Sequence, residues 1–413
     1  MLTLLAVHGY RSLREVVLPL APVTVITGAN GVGKSSLYQS LRLLADTGRG
    51  SLVGALAGQG GLSRVMWAGP EEISGAMKRG EVPVQGTGSR RRPISLALGF
   101  ATDTFGYLVD VGLPTPRTTA FVRDPVIKRE AIFAAPLYRP ASSLVERKNH
   151  TLRVNAGPGW RVVAEDLDDR ASMLAELGDP QEYPEVLAVR REVNSWRFYD
   201  GFRTDADAPA RQPHVGTWTP VLSDDGADLA PAVQSILESS WERPFRQAIA
   251  EAFPGGRIAV TDHDGRFEIE FDQSGLLRSL NAAELSDGTL RFLLLATALL
   301  SPRPPAVLVL NEPETSLHPD VLPVLARLVQ GAASRTQVIV VSHSSAIVDH
   351  LLGDQDPGDR DPGGQDPLGP GDDDAPRDGG ATVLHHRLTK NLGETVVEGQ
   401  GLLSRPPWNW GAR

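Results

Sequence analysis

The sequence of 413 residues contains no cysteine, which excludes disulfides, thiolate metal sites and cysteine nucleophiles. Long hydrophobic runs are also missing, because the longest one, residues 292–300, is far too short to span a bilayer. The first residues have neither the basic segment nor the small-residue cleavage site of an export signal. Sustained heptads are absent, which leaves no place for a coiled-coil arm. We therefore expect a cytoplasmic protein that does not bind membranes.

Lysine is scarce as well, since it occurs only at positions 34, 78, 128, 148 and 390, and arginine makes up the rest of the 41 basic residues. The net charge is −9, but nine Asp against two Arg between residues 353 and 380 account for −7 of it and leave −2 for the rest. This Asp/Gly/Pro-rich segment has almost no apolar side chains, so burial of apolar surface could not offset the conformational entropy lost on ordering it. We expect residues 353–380 to be a disordered acidic linker.

The hydrophobic pattern divides the remaining chain into a core and an insertion. Strands rich in Val, Ile and Leu, a glycine-rich turn and a helix occupy residues 1–60, and strands alternate with helices again over residues 282–352. Such alternation predicts a parallel sheet. We expect these two segments to form one core and residues 61–281 to form an intervening lobe and insertion, so that residues 1–352 make up one two-lobed unit. Residues 381–413 should form a C-terminal hairpin and tail. In the lobe, the pattern predicts a strand at 94–98 and a long helix at 229–253.

A phosphate-loop motif lies between an apolar strand and a helix, where residues 28–36 read GANGVGKSS and match G-x-x-x-x-G-K-[ST]. Its glycines allow backbone amides to point at a phosphate, the lysine can reach the β- and γ-phosphate oxygens, and the serine hydroxyl can bind Mg²⁺. The alternative is a glycine turn that matches by chance. The motif predicts ATP and Mg²⁺ as ligands, and its candidate binding residues are Gly28, Asn30, Gly31, Gly33, Lys34, Ser35 and Ser36.

A second buried strand, VLVL at residues 307–310, ends in Asn311 and Glu312. Open parallel sheets hold their ligands at this end of the strands. The Glu312 carboxylate would orient or deprotonate the water that attacks a γ-phosphate, which makes it a candidate catalytic residue. A surface carboxylate at a strand end is the alternative reading.

Two further motifs add polar groups near the same place. In LSDGTLR, residues 285–291, Ser286 is a good N-cap for the apolar helix that follows, and that is one reading. In the other reading, Ser286 and the Gly288 amide bind the γ-phosphate of a nucleotide held by another subunit. In VIVVSH, residues 338–343, His343 follows a buried strand and suits a γ-phosphate sensor or a water-orienting catalytic group, although strand-end histidines are usually structural.

These motifs occur in an order that resembles known ATPases. The opening HGYRSLREVVLPLAPVTVITGANGVGKSSL resembles the start of RecF, SMC and OLD-type ATPases, and LSDGTLR, LVLNEPETSLHPD and VIVVSHS resemble their signature, Walker B with D-loop, and switch motifs. The segments FYDGFRTDADAPARQ, SDDGADLAPAVQSI and RPPWNWGAR further resemble a bacterial group of stand-alone predicted ATPases within the AAA_21 and RecF-like set. The resemblance implies an α/β fold: an ABC-type ATPase head of the RecF/SMC-like P-loop NTPases, with a mixed β-sheet and a helical lobe but no coiled-coil arm.

The resemblance also implies roles for residues outside the motifs. Arg11 would approach the nucleotide phosphates, and Gln59 would be the Q-loop residue near the metal, although a surface arginine and a loop glutamine remain the alternatives. Asn311 departs from the family, which usually has Asp there to hold the water shell of Mg²⁺. An amide keeps an acceptor oxygen but loses the charge, so slow turnover would follow.

The implied activity is ATP hydrolysis by a switch that forms a homodimer on binding ATP and serves DNA maintenance or antiphage defence. Its partner would be DNA or a nuclease or other effector protein, because the chain itself has no acidic nuclease domain after the switch motif. Arginine runs at 89–93 and 190–191 could contact nucleic-acid phosphates, although such runs are more often solvated. The alternative is a nucleotide-gated scaffold with little hydrolysis that regulates an effector. A transporter ATPase subunit is disfavoured, because no membrane-docking feature is evident.

Overall fold

The computed structural model describes residues 1–70, 75–79, 81–82, 95–114, 120–134, 136–157, 159–353, 381–401 and 404–411. Residues 354–380, expected to be a linker, and the arginine run at 89–93 lie outside the described residues. Within the described residues, no helix is both long enough and apolar enough to cross a membrane. The longest of these helices has 15 residues, so this part of the chain contains no coiled-coil arm.

The strands and helices are numbered in chain order. The strands are β1 (Leu2–Tyr10), β2 (Leu13–Pro19), β3 (Val23–Gly28), β4 (Leu96–Thr102), β5 (Phe105–Gly112), β6 (Val126–Ala134), β7 (Ser143–Lys148), β8 (Thr151–Asn155), β9 (Trp160–Ala164), β10 (Arg197–Tyr199), β11 (His214–Val215), β12 (Arg257–His263), β13 (Arg266–Asp272), β14 (Leu280–Asn281), β15 (Val307–Asn311), β16 (Gln337–Val341), β17 (Val383–Asn391) and β18 (Glu394–Val397). The helices are α1 (Lys34–Gly48), α2 (Leu52–Gly58), α3 (Leu62–Val65), α4 (Gly75–Lys78), α5 (Met173–Glu176), α6 (Pro184–Ser195), α7 (Leu229–Leu237), α8 (Glu242–Ala252), α9 (Asp287–Leu299), α10 (Leu322–Ala332) and α11 (Ser345–Leu352).

The central sheet has six strands in the order β10-β15-β16-β3-β17-β18. The first five run parallel, and β18 is antiparallel to β17, which confirms the predicted mixed sheet. Strand β17 lies directly beside β3, the strand that leads into the phosphate-loop motif. The C-terminal hairpin therefore adds two strands to the sheet that contains β3, the strand before the phosphate-loop motif.

Both faces of the central sheet are buried, as expected for parallel strands with near-continuous apolar sequences. Alternate residues face opposite cores. On one face, Val309 and Ile339 join a core that includes α1, α6 and β1. On the other face, Leu308 and Val340 join a core built largely by α7, α8, α9 and α10. This second group of helices forms a helical layer beside the sheet.

An antiparallel sheet of eight strands, in the order β2-β1-β4-β5-β6-β7-β8-β9, shares the first core with the central sheet. Gln337, the first residue of β16, joins the two sheets. Its Nε2 donates to the carbonyls of Leu2 and Ala21, both at 2.9 Å, and its Oε1 accepts from Leu2 N at 2.9 Å. These buried bonds fix where β1 starts relative to the central sheet. A smaller sheet of four strands contains β11, β13, β12 and β14.

The structure corrects two elements of the sequence prediction. The long helix expected at 229–253 is divided into α7 and α8. Pro244 lies in the first turn of α8, where its missing N–H costs nothing, but in a continuous helix it would clash with the preceding turn. The strand expected at 94–98 runs from Leu96 to Thr102 instead, because its pairing with β1 and β5 decides its limits.

Candidate functional site

The parallel strands of the central sheet bring the motifs to one edge. Asn311 at the end of β15 pairs with Val341 at the end of β16, and Val341 pairs with Ile26 near the end of β3. Neighbouring strands lie about 4.8 Å apart, so the segments that follow these three strands emerge side by side. More than 270 residues separate β3 from β15 and β16 in the sequence, but the sheet makes the three strands neighbours.

The loop after β3 turns sharply before α1 begins at Lys34. Gly31 and Gly33 have φ values of 79° and 113°, which favour glycine because a β-carbon is strained there. Gly33 is the residue before the helix, so the loop leads directly to the free amides of the first turn of α1. Free amides at a helix start favour an anion.

The Lys34 side chain folds back over this loop. Its Nζ donates to the carbonyls of Gly28 at 2.6 Å and Ala29 at 3.2 Å, and the residue is only 7% exposed. The ammonium is therefore held at the centre of the loop. Ser35 and Asn30 are exposed beside it, whereas Ser36 is buried against the core.

Glu312 and His343 are brought together from the ends of β15 and β16. Glu312 has a φ of 48° and its N–H donates to the carbonyl of Val341 at 2.7 Å, which ties the two strand ends. Its carboxylate Oε1 lies 3.5 Å from Nδ1 of His343. The side chains are 45% and 51% exposed, so both groups can be reached from solvent.

Glu314 is a carboxylate at this edge that the sequence analysis missed. It is only 9% exposed, and its Oε1 accepts from the Ser342 hydroxyl at 2.6 Å and from the amides of His343 and Ser344 at 3.3 Å. The same oxygen lies 3.5 Å from His343 Nδ1. Glu314 therefore fixes the backbone that carries the histidine. The sequence signal was a second acidic residue two positions after Glu312, too common a pattern to interpret alone.

Arg291, in α9, connects the signature motif to this edge. Its Nη2 donates to the carbonyl of Glu312 at 2.9 Å. Burial lowers the pKa of Arg291, and the negative charges of Glu314 and Glu312 partly oppose that shift. The guanidinium thereby links the start of α9 to the segment after β15.

Ser286 caps α9 as predicted, because its Oγ accepts from the amide of Thr289 at 3.1 Å. The side chain is nevertheless exposed. Two residues later, Gly288 packs against the segment after β15: a β-carbon there would lie 2.7 Å from the carbonyl oxygen of Ser316. The signature and D-loop segments are thus in direct contact within one chain.

Arg11 and Gln59 contact each other. The Oε1 of Gln59 accepts from Arg11 Nη2 at 3.0 Å and from the Tyr10 hydroxyl at 2.6 Å. Burial raises the pKa of Tyr10, and Arg11 and this hydrogen bond oppose the shift. Arg11 follows β1 and Gln59 follows α2, and the amide of Arg11 also donates to the carbonyl of Val65 at 2.6 Å.

Comparison with known families identifies the family of the chain. A family model described as "AAA domain, putative AbiEii toxin, Type IV TA system" matches residues 23–349, which contain all the motifs. The chain belongs to this AAA_21 family. Its fold is therefore that of a nucleotide-binding P-loop ATPase, as the sequence motifs predicted.

Solved structures similar to this AAA_21 protein include SMC head domains. The SMC head domain from Thermotoga maritima shares 15% identity at a TM-score of 0.41, covering 97% of this chain and 99% of that one. The Smc head domain with an extended coiled coil, bound to the C-terminal domain of ScpA and derived from Pyrococcus furiosus, shares 12% identity at a TM-score of 0.47, covering 96% and 95%. A comparison with curated proteins found no match.

The residues at this sheet edge suit a nucleotide with Mg²⁺. Ser35 and Asn311 offer neutral oxygens at the same sheet edge, and Mg²⁺ is commonly bound by one or two protein oxygens together with phosphates. Within the described residues, no group of three or more Asp, Glu or His side chains could hold a metal alone. An ion here would therefore depend on the phosphates for most of its ligands.

Proposed function

We propose that this protein binds ATP with Mg²⁺, hydrolyses it, and forms a homodimer in the ATP-bound state as a switch for DNA maintenance or antiphage defence. One observation carries the proposal: the loop that holds Lys34, the Glu312 carboxylate and the His343 ring all follow parallel strands that end at one edge. Family membership supports the ATPase part of it.

Nucleotide binding rests on the loop at residues 28–36. Backbone amides at the start of α1 would surround the β-phosphate, and the Lys34 ammonium would exchange its two carbonyl partners for phosphate oxygens. Ser35 and Asn311 would hold Mg²⁺, which when bound neutralises charge on the phosphates. Asn311 brings no charge of its own, so we expect modest turnover.

Hydrolysis would depend on Glu312 and His343. The carboxylate of Glu312 is exposed enough to accept a proton from water or to orient it beside the γ-phosphate. His343 lies 3.5 Å from that carboxylate and would orient the same water or contact the γ-phosphate. Glu314 holds the backbone of His343 and so sets where the ring lies.

Dimerisation would complete each site with the signature segment of the second copy. The exposed hydroxyl of Ser286 and the amide of Gly288 lie at the start of α9, where the helix end favours an anion. Two copies related by a two-fold axis would each offer this segment to the nucleotide of the other. Arg11 would approach the phosphates, and Gln59 the metal, only if the hydrogen bond between them opens.

The biological output that we propose is DNA maintenance or antiphage defence. The description of the family names a toxin of a toxin–antitoxin system, which is compatible with an effector role in defence. A nucleotide-gated scaffold is the second candidate, and Asn311 is the observation that favours it. Steady-state phosphate release separates the two, because a scaffold would dimerise on ATP with almost no turnover. A pull-down in ATP, with and without nuclease treatment, separates a DNA partner from a protein partner.

Replacing Lys34 by alanine tests the site. We expect Lys34→Ala to lose measurable ATP binding in calorimetry, because Lys34 is the one charged side chain of residues 28–36 and its ammonium offsets phosphate charge. Lys148→Ala removes an exposed lysine of the antiparallel sheet and is the matched control. If Lys34→Ala bound ATP like the wild type, the phosphate-loop assignment would be wrong.

A further inference from the structure

The C-terminal hairpin, β17 and β18, lies against the phosphate loop although more than 340 residues separate them in sequence. Strand β17 pairs in parallel with β3 as far as Leu388, which lies opposite Gly28. At Gly28 the two backbones are so close that a β-carbon would lie 2.5 Å from the carbonyl oxygen of Leu388. The hairpin thus packs directly against one side of the phosphate loop.

Thr395, in β18, contacts the loop through its hydroxyl. Its Oγ1 donates to the carbonyl of Val32 at 2.6 Å and lies 2.8 Å from the Ser12 hydroxyl, and the residue is only 2% exposed. A β-carbon at Gly33 would collide with the same hydroxyl. Thr395 therefore bonds Val32 and packs against Gly33, the last two residues of the loop before α1.

Lys390, at the end of β17, brings a second ammonium to the loop. Its Nζ donates to the carbonyl of Gly31 at 3.2 Å, while Lys34 occupies the carbonyls of Gly28 and Ala29. Two of the five lysines in the chain thus meet on one short loop. Among the described residues, neither ammonium has a carboxylate partner. Carbonyl dipoles do not neutralise two positive charges, so this arrangement attracts an anion.

We infer that the C-terminal hairpin is part of the nucleotide site: Lys390 is a second phosphate-binding cation, and Thr395 is a positioning residue that holds the loop ready. The inference rests on the proposed function, in which the loop binds ATP. Lys390 is exposed and its stem is free to swing, so its ammonium can move from the Gly31 carbonyl to a phosphate oxygen. Thr395 is buried and keeps its contacts while that happens.

Two pairs of variants of the full chain test the inference, with the dissociation constant for ATP in Mg²⁺ measured by calorimetry and the melting temperature measured without nucleotide. Lys390→Met should raise the dissociation constant about tenfold, since a charge-assisted hydrogen bond is lost. Its melting temperature should stay unchanged because the side chain is exposed. Lys390→Arg should recover most of the affinity. Lys148→Met is the control for removing a lysine elsewhere.

Thr395→Val should weaken ATP binding about fivefold or more, because the Val32 carbonyl loses its partner and the loop loses its anchor. Thr395→Ser, which keeps the hydroxyl, should bind ATP like the wild type. Thr389→Val removes a threonine of the same hairpin and should leave affinity unchanged. If Thr395→Val does not fold, Lys390→Met decides alone.

The outcomes separate the inference from the function on which it rests. If the wild type binds ATP and both Lys390→Met and Thr395→Val bind it equally well, the hairpin has no part in the site and the proposed function stands. If the wild type does not bind ATP, the proposed function fails and the inference fails with it. Loss of affinity in Lys390→Met with an unchanged melting temperature and recovery in Lys390→Arg supports the inference.

Discussion

The carboxylate of Glu314 accepts a hydrogen bond from the hydroxyl of Ser342 at 2.6 Å, across 28 residues of sequence. The same oxygen also accepts hydrogen bonds from the backbone amides of the two residues after Ser342. A buried carboxylate with three donors on one oxygen fixes the loop after β16 relative to the segment after β15. The position of His343 beside Glu312 depends on this bond.

We therefore predict that Glu314→Ala lowers the free energy of unfolding by about 2 kcal/mol, since buried donors lose their acceptor. Phosphate release should fall more strongly than ATP affinity, because the loop that carries His343 loses its anchor. Chemical denaturation and steady-state phosphate release measure the two effects. Glu314→Gln keeps an acceptor oxygen and should lie between the wild type and Glu314→Ala. Equal turnover in all three proteins would mean that the bond is structural only.

Glu312→Gln should bind ATP with wild-type affinity but hydrolyse it about 100-fold more slowly, because an amide accepts no proton from water. The amide preserves the size of the side chain and leaves the backbone contacts of Glu312 with Val341 and Arg291 in place. Calorimetry and single-turnover phosphate release give the two quantities. Turnover at the wild-type rate would place the catalytic base elsewhere.

Ser286→Asp separates the cap of α9 from a role in a partner's site. Aspartate is as good an N-cap as serine, so the melting temperature should hardly change. Its charge would repel a γ-phosphate, so ATP-dependent dimerisation, measured by light scattering, should be lost. Ser286→Asn caps the helix without charge and should repel much less.

Mixing Ser286→Asp with Lys34→Ala tests whether the two residues act in trans. Each variant alone should remain monomeric in ATP, whereas a mixed dimer regains one composite site, with Lys34 from one chain and Ser286 from the other. The mixture should therefore dimerise. If it stays monomeric while the wild type dimerises, or if the wild type hydrolyses ATP as a monomer, Ser286 acts only as a cap.

His386, in β17, predicts a dependence of stability on pH. Burial lowers the pKa of His386, and the hydrogen bond of its Nε2 with the carbonyl of Pro19 at 2.8 Å partly opposes that shift. The folded chain then binds a proton at His386 less readily than the unfolded chain. The stability that neutral His386 contributes is therefore lost as pH falls below the unfolded pKa, about 6.5. Denaturation midpoints at pH 7.5 and 5.5 should differ less in His386→Gln than in the wild type. An equal difference would mean that the pKa of His386 is the same in the folded and the unfolded chain.

The sequence alone determined the motifs and their order. A glycine-rich turn between an apolar strand and a helix can be recognised locally, because the spacing of glycines, lysine and serine reflects the geometry of a phosphate. The strand that ends at Asn311, the cap at Ser286 and the alternation of strands and helices over residues 282–352 are also local patterns. They were enough to predict the fold class and the family.

Tertiary structure decided which of these local elements become neighbours. The pairing of β17 with β3 places Lys390 and Thr395 at the loop, although nothing near residues 390–395 indicates a nucleotide site. Glu314 looks like any acidic residue of a turn until the parallel pairing of β15 with β16 brings Ser342 to it. Strand pairing is a long-range contact whose partners are selected by packing of the whole sheet on both of its cores. The local periodicity of the sequence does not show which strands will pair.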